Sequence, residues 1–63
     1  MIKKYRLAQN MTQEELAEKL GISWRHLQRL ERDERNMKLS LFKKVVKTLN
    51  VSDDEILKYI KKR

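Results

Sequence analysis

The chain has 63 residues, with 16 Lys or Arg against nine Asp or Glu, a formal net charge of +7 and a pI of about 10.0. This length favours one domain with a small core, and the charge favours a polyanionic partner. Because there is no cysteine and only one histidine, the sequence offers no disulfide framework, zinc site or nucleophile–base set, so we expect neither an enzyme nor a metal or other cofactor.

The first ten residues, MIKKYRLAQN, carry charges where a signal peptide needs an apolar segment. No later apolar run approaches membrane-spanning length, so we expect a cytoplasmic protein without a membrane partner. The pattern predicts a first helix over residues 1–9, with Ile2, Tyr5 and Arg6 on one face. Asn10 is suited to the left-handed conformation that ends a helix. Proline is absent and helix-forming residues dominate, which predicts an all-α fold.

The second predicted helix begins with a capping box, in which the hydroxyl of Thr12 caps the helix and Glu15 reaches back. Three apolar residues then share one face at helical spacing: Leu16, Ala17 and Leu20. Gly21, the only glycine, can adopt a left-handed conformation and end the helix sharply. Ile22 is expected to return to the core.

The third predicted helix is capped by Ser23 and points Leu27 and Leu30 inward. The opposite side of the helical wheel is polar and cationic, and consists of Trp24, Arg25, Gln28, Arg29 and Arg32. Two short helices joined by a turn at a glycine form a helix-turn-helix. The outer face of such a second helix is suited to the DNA major groove.

Residues 32–38 lack periodicity and predict a loop, with Asn36 as a cap for the fourth helix. That helix is predicted from an apolar stripe with Phe42 as the expected centre of the core: Leu39, Phe42, Val45, Val46 and Leu49. Asn50 can end it, and Val51 is expected to return inward. Ser52 and Glu55 repeat the capping-box signal before a fifth helix over 53–61. Its apolar residues are Ile56, Leu57 and Ile60.

Residues 2–56 resemble the helix-turn-helix family of phage Cro proteins and repressors, called Xre-type. The matching residues are Arg6, the run from Met11 to Ser23, Leu27, Leu30, Glu31, Leu39, Phe42, Val46, the run from Leu49 to Ser52, and Ile56. The resemblance implies a five-helix, lambda-repressor-like all-α domain over 1–63, with the helix-turn-helix in helices 2 and 3. It also implies a two-fold dimer, here a weak homodimer that can form on DNA, bound to a palindromic operator in double-stranded DNA.

The resemblance also implies roles for individual residues. The side chains expected to contact bases are Trp24, Arg25, Gln28 and Arg29. Those expected to contact phosphates are Gln13, Ser23, Arg32, Arg35, Asn36 and Lys38. Arg6 and Glu31 match a pair that forms a structural salt bridge. The chain departs from the family pattern at three positions, where Asp33 replaces a glycine, Met37 a proline and Lys38 a serine.

Several of these residues have a second interpretation. Arg25 and Arg29 can bind guanine O6 and N7 or form a solvated cationic face. Trp24 can contact sugar or thymine methyl carbons with its N–H on a phosphate, or fold back over the second helix. His26 is expected to pack or cap rather than to bind a ligand. The basic end over 59–63 is a soluble helix end or a phosphate-seeking arm, and Leu57 and Ile60 suit a weak dimer interface.

The sequence therefore predicts a Cro-like repressor from a phage or mobile element, associated with the nucleoid of a bacterial or phage-infected cell. No small-molecule substrate is expected. The alternative is a protein-interaction module of the same fold, either an antitoxin or an antagonist of another regulator. A membrane-surface peptide is disfavoured, because such a peptide needs neither the helix caps nor the core stripe found here.

Overall fold

The computed structural model describes residues 1–62. The side chains of Asn36 and Lys62 and the whole of Arg63 lie outside the described part, and with them the predicted phosphate contact of Asn36 and the last cations of the basic end. The described residues form five α-helices and no strand, which confirms the predicted all-α architecture. The helices are α1 (Ile2–Ala8), α2 (Gln13–Leu20), α3 (Trp24–Arg32), α4 (Leu39–Leu49) and α5 (Asp53–Lys62).

Local chain signals set the ends of most helices, as predicted. At the start of α2, Thr12 Oγ1 accepts a hydrogen bond from the Glu15 N–H at 3.0 Å, and Glu15 Oε1 accepts one from the Thr12 N–H at 2.9 Å. Left-handed residues follow three of the helices: Asn10 after α1, Gly21 after α2 and Asn50 after α4, with φ of +55°, +70° and +54°. Each left-handed residue ends its helix and lets the next N–H bond back to a carbonyl of the last turn: Met11 to Arg6, Ile22 to Ala17 and Val51 to Val46.

The start of α5 forms only half of the predicted capping box. Ser52 Oγ accepts a hydrogen bond from the Glu55 N–H at 3.3 Å, but the Ser52 N–H donates to the Tyr5 hydroxyl, also at 3.3 Å. The Glu55 carboxylate accepts instead from Lys4 Nζ at 2.9 Å. This bond lowers the pKa of Glu55 and raises that of Lys4. Two residues of α1 therefore hold the beginning of α5.

The core matches most of the predicted apolar stripes, with three exceptions. Leu39 is 62% exposed, so its predicted place in the core is wrong; it is the first residue of α4, and the buried residues of that helix begin one turn later, at Phe42. Met37 and Tyr59 are buried although neither was predicted to be in the core. Tyr59 stacks on Phe42 with ring centroids 4.8 Å apart. Phe42 is buried against this ring rather than at the most enclosed point of the core.

The residues between α3 and α4 are more ordered than the predicted loop. Arg32 still belongs to α3, and Glu34–Asn36 form a single 3₁₀ turn. The Glu34 carboxylate accepts from the Ile2 N–H at 2.6 Å and from the Met1 amine at 3.1 Å, so it caps α1 from across the fold. The Glu34 carbonyl accepts from the Tyr59 hydroxyl. This turn therefore joins α1 to α5.

Lys38, rather than Asn36, occupies the N-cap position of α4. The basic end is helical as far as Lys62 and is anchored by the buried Tyr59, which favours a packed helix end over a free arm. No helix within residues 1–62 has both the length and the apolar composition needed to cross a bilayer.

The capping box at α2 predicts a specific acid sensitivity. The Thr12 backbone N–H, followed by its hydroxyl, holds the pKa of Glu15 below its ordinary value of 4.5. A carboxyl whose pKa is lowered by folding contributes stability above its unfolded pKa and loses it as pH falls through the folded value. Glu15→Gln should therefore unfold at lower urea concentration at neutral pH and lose less further stability on acidification. Urea titrations between about pH 7 and pH 3 measure this difference.

Glu14→Gln is the matched control, because it removes a carboxylate from the same turn without removing the bonds to Thr12. Parallel pH profiles for wild type and Glu15→Gln would show that the capping box does not carry this pH dependence.

Candidate nucleic-acid interface

One face of α3 is open to solvent along its whole length. Its residues are Trp24, Arg25, Gln28, Arg29 and Arg32, all exposed. Leu27 and Leu30, on the opposite side, are 0% and 5% exposed. The structure thus brings the four predicted base-contacting residues onto a single surface, as the helical pattern indicated. Three arginines within one helical face make this surface strongly cationic.

The N-terminus of α3 is capped by Ser23, whose Oγ accepts from the His26 N–H at 3.1 Å. Ser23 is exposed beside this first turn, where the phosphate contact implied by the family would occur. The His26 side chain is half-buried on the far side from Trp24, which agrees with a packing role. Within the described residues, no group of three His, Cys, Asp or Glu side chains is arranged to hold a metal ion.

Further cations flank the C-terminal end of α3. Arg35 and Lys38 are exposed beside Arg32 in the chain. Asp33, which replaces a glycine, adopts φ −145° and therefore ends α3 without a left-handed residue. Its Oδ1 accepts from both the backbone N–H and the Nε of Arg35 at 3.3 Å. Asp33 thus caps the 3₁₀ turn and holds Arg35 next to the helix end.

A buried ion pair lies behind the α3 face. Arg6 Nε donates to Glu31 Oε2 at 2.7 Å, which places the predicted salt bridge between α1 and α3. The side chains are 9% and 6% exposed. Arg6 Nη1 also donates to the carbonyl of Met11 at 2.8 Å, so the guanidinium holds the loop before α2 as well. These extra bonds matter because a buried charge is stable only when its hydrogen-bonding groups are matched.

A chain of hydrogen bonds connects this pair to the surface. Gln13 Nε2 donates to Glu31 Oε1 at 3.1 Å. Gln13 Oε1 accepts from the indole N–H of Trp24 at 2.9 Å. The indole N–H is therefore directed at α2, in line with the interpretation that Trp24 folds back, although 49% of the residue remains exposed. Gln13 uses its oxygen and one N–H inside the protein, and its phosphate contact stays a prediction.

The sequence analysis missed the two hydrogen bonds of Gln13 because no spacing rule joins it to Trp24 or Glu31. The first residues of α2 and α3 meet only when the turn at Gly21 sets the angle between the helices. The weak available signal was a polar residue at the start of α2, on the side that helix packing covers.

Comparison with known proteins gives one family. A family model described as helix-turn-helix matches residues 2–56. That span includes all of α1 to α4, the 3₁₀ turn and the beginning of α5. No curated protein and no solved structure matches the chain.

The Arg6–Glu31 pair generates a prediction about stability. Arg6→Ala leaves the Glu31 carboxylate buried without its cation, which costs about 3–5 kcal/mol. Because small domains have free energies of unfolding of about 5–15 kcal/mol, much of the variant should be unfolded. Circular dichroism with urea titration measures the loss.

Arg35→Ala is the matched control, because it breaks an ion pair whose arginine side chain is 75% exposed. Its free energy of unfolding should change by less than about 1 kcal/mol. An Arg6→Ala variant that is fully folded yet fails to bind DNA would contradict the structural role of Arg6.

Proposed function

The chain belongs to the helix-turn-helix family of DNA-binding transcriptional regulators of the Xre, lambda-repressor-like type, and we propose that it is a Cro-like repressor of a palindromic operator. In this proposal residues 1–63 act as one DNA-binding domain rather than as an enzyme. The observation that carries it is the cationic face of α3, which is exposed while Leu27 and Leu30 hold the helix against the core.

In the proposed complex, α3 enters the major groove. An α-helix with its side chains is about 10–12 Å across, which suits a groove about 12 Å wide, and the nine residues of α3 extend about 13 Å along it. Arg25 and Arg29 are four residues apart on the exposed face, and a guanidinium can bind O6 and N7 of guanine with two hydrogen bonds. Gln28 lies between Trp24 and Arg25 on the helical wheel and would reach a base or a neighbouring phosphate.

Phosphate contacts would flank α3 at both ends. Ser23 and Gln13 lie at its N-terminal end, and Arg32, Arg35 and Lys38 follow at its C-terminal end. The Asn36 contact proposed from the family lies outside the described side chains. Because each neutralised phosphate releases counterions, affinity should fall steeply as salt rises. These contacts would fix the register of α3 in the groove, while the base contacts supply sequence preference.

A homodimer on the operator is supported by the exposed face of α5. Leu57 and Ile60 are 55% and 54% exposed, and Asp53 precedes them at helical spacing on the same face. A two-fold axis would pair two α5 helices antiparallel. Each acidic start, at Asp53, would then approach the other copy's basic end, at Lys61. The interface is small, so we propose a weak dimer that forms fully on the palindrome.

Repression would follow from operator occupancy, because a bound dimer excludes polymerase from an overlapping promoter. Such a protein would be found with the nucleoid of a bacterial or phage-infected cell. The same apolar face of α5 also supports the alternative, a protein-interaction module such as an antitoxin or a regulator antagonist. The two functions differ in whether the isolated chain selects a DNA sequence.

Selection from random duplexes tests the role of α3. Wild type should recover a palindromic consensus, and Arg25→Ala or Arg29→Ala should lose guanines from it. Each loss should lower affinity for the consensus by about 5- to 150-fold, since a bidentate pair contributes about 1–3 kcal/mol of discrimination. Lys47→Ala is the charge-matched control, because it removes an exposed cation from α4 instead. Salt-sensitive binding without a consensus would contradict the proposal and favour a protein partner.

Ile60→Glu tests the dimer face. It should abolish cooperative binding to the palindrome, because it places like charges across the two-fold axis, while single half-site binding persists. Leu7→Glu is the control, since Leu7 on α1 is also 54% exposed. Electrophoretic titration of full and half operators measures both. Unchanged cooperativity in Ile60→Glu would place the dimer interface elsewhere.

A further inference from the structure

The indole ring of Trp24 offers an exposed apolar surface whose polar atom is already engaged. Indole has one polar atom, the Nε1–H, which can donate but not accept. In this protein it donates to Gln13 Oε1 at 2.9 Å. Trp24 is 49% exposed, and the rest of its ring is carbon, so the ring can offer a ligand of α3 an apolar contact. Trp24 differs in this respect from Arg25, Gln28 and Arg29, whose exposed ends are hydrogen-bonding groups.

The Trp24 ring is also linked to the core by a series of hydrogen bonds. Gln13 donates to Glu31 Oε1 at 3.1 Å, and Glu31 is bound by Arg6 at 2.7 Å. Because the Arg6 and Glu31 side chains are 9% and 6% exposed, this anchor belongs to the packed interior. These hydrogen bonds restrain the indole before any partner binds, which reduces the conformational entropy that would be lost on binding.

The major groove offers few partners for such a surface. Base edges there present hydrogen-bond donors and acceptors, except for the C5-methyl group of thymine. Trp24 is the first residue of α3, at the end that contacts base edges in a helix-turn-helix. Resting on the function proposed above, we infer that Trp24 reads a C5-methyl pyrimidine, thymine or 5-methylcytosine, in each half-site. Gln13 is the positioning residue that aims the ring.

Replacing single thymines of the selected operator by deoxyuridine tests this contact, because it removes only the methyl group. One position per half-site should weaken binding by about fourfold, the effect of losing one buried methyl-sized group. This penalty should disappear in Trp24→Ala and persist in Arg25→Ala, which loses a neighbouring contact of different chemistry. A 5-methylcytosine at the same position should bind more tightly than cytosine.

A second variant covers the case in which Trp24→Ala does not fold. Trp24→Gln removes the ring but keeps a side chain that can donate to Gln13, and it should also lose the methyl penalty. Contact of Trp24 with sugar carbons alone predicts no deoxyuridine effect in any of these proteins.

The role of Gln13 has its own readout, because Trp24 is the only tryptophan. Gln13→Ala should raise the rotational mobility of Trp24, measured as lower steady-state fluorescence anisotropy, and should reduce the methyl penalty in the folded protein. Lys47→Ala, which removes an exposed side chain from α4, should change neither quantity. Unchanged anisotropy and methyl penalty in Gln13→Ala would overturn the positioning role.

The outcomes separate this inference from the proposed function. A palindromic consensus with no methyl-sensitive position, or with a methyl penalty that survives in the Trp24 variants, would overturn the inference and leave the repressor proposal standing. Failure to recover any consensus would overturn both. A loss of affinity on deoxyuridine substitution that depends on both Trp24 and Gln13 would support both the methyl contact and the positioning role of Gln13.

Discussion

The buried ion pair between Arg6 and Glu31 is the interaction on which the arrangement of the first three helices depends. It joins α1 to α3, and a further guanidinium bond, to the Met11 carbonyl, fixes the loop that leads into α2. Gln13, the first residue of α2, attaches that helix to the ion pair by donating a hydrogen bond to Glu31. In a chain of 63 residues, the apolar core alone is small. Burying two charges is costly, but a pair with matched geometry and additional hydrogen bonds specifies one arrangement of the helices around it.

The 3₁₀ turn after α3 provides a second point of attachment. Its Glu34 caps α1 through the Ile2 N–H and accepts from Tyr59 of α5, whose ring stacks on Phe42 of α4. The cationic turn beside α3 is therefore part of the packed structure rather than a free loop. The hydrogen bond from Arg35 to Asp33 holds the Arg35 side chain beside the end of α3.

The exposed faces of α3 and α5 differ in chemistry. The arginines of α3 have exposed guanidinium groups with five donors each, suited to phosphates and guanine edges. Trp24 presents a fixed hydrocarbon surface at the start of the same helix, because its polar atom faces α2. Leu57 and Ile60 leave an apolar strip on α5, the helix that Tyr59 and Lys4 hold against the rest of the fold. The cationic face of α3 and the apolar strip of α5 thus lie on different helices packed around one small core.

The sequence by itself determined the features that depend on neighbouring residues in the chain. The capping box at Thr12, the left-handed residues Asn10, Gly21 and Asn50, and the division of α3 into buried and exposed faces all follow from local hydrogen bonding and helical periodicity. The resemblance to a known family added the Arg6–Glu31 pair. Only the tertiary structure decided the exposure of Leu39, the burial of Met37 and Tyr59, and the orientation of Trp24. Each depends on how residues far apart in the chain pack: Tyr59 needs the Glu34 carbonyl and the Phe42 ring, and Trp24 needs Gln13. Periodicity reports which face of a helix is apolar, whereas these contacts depend on the angles at which helices meet.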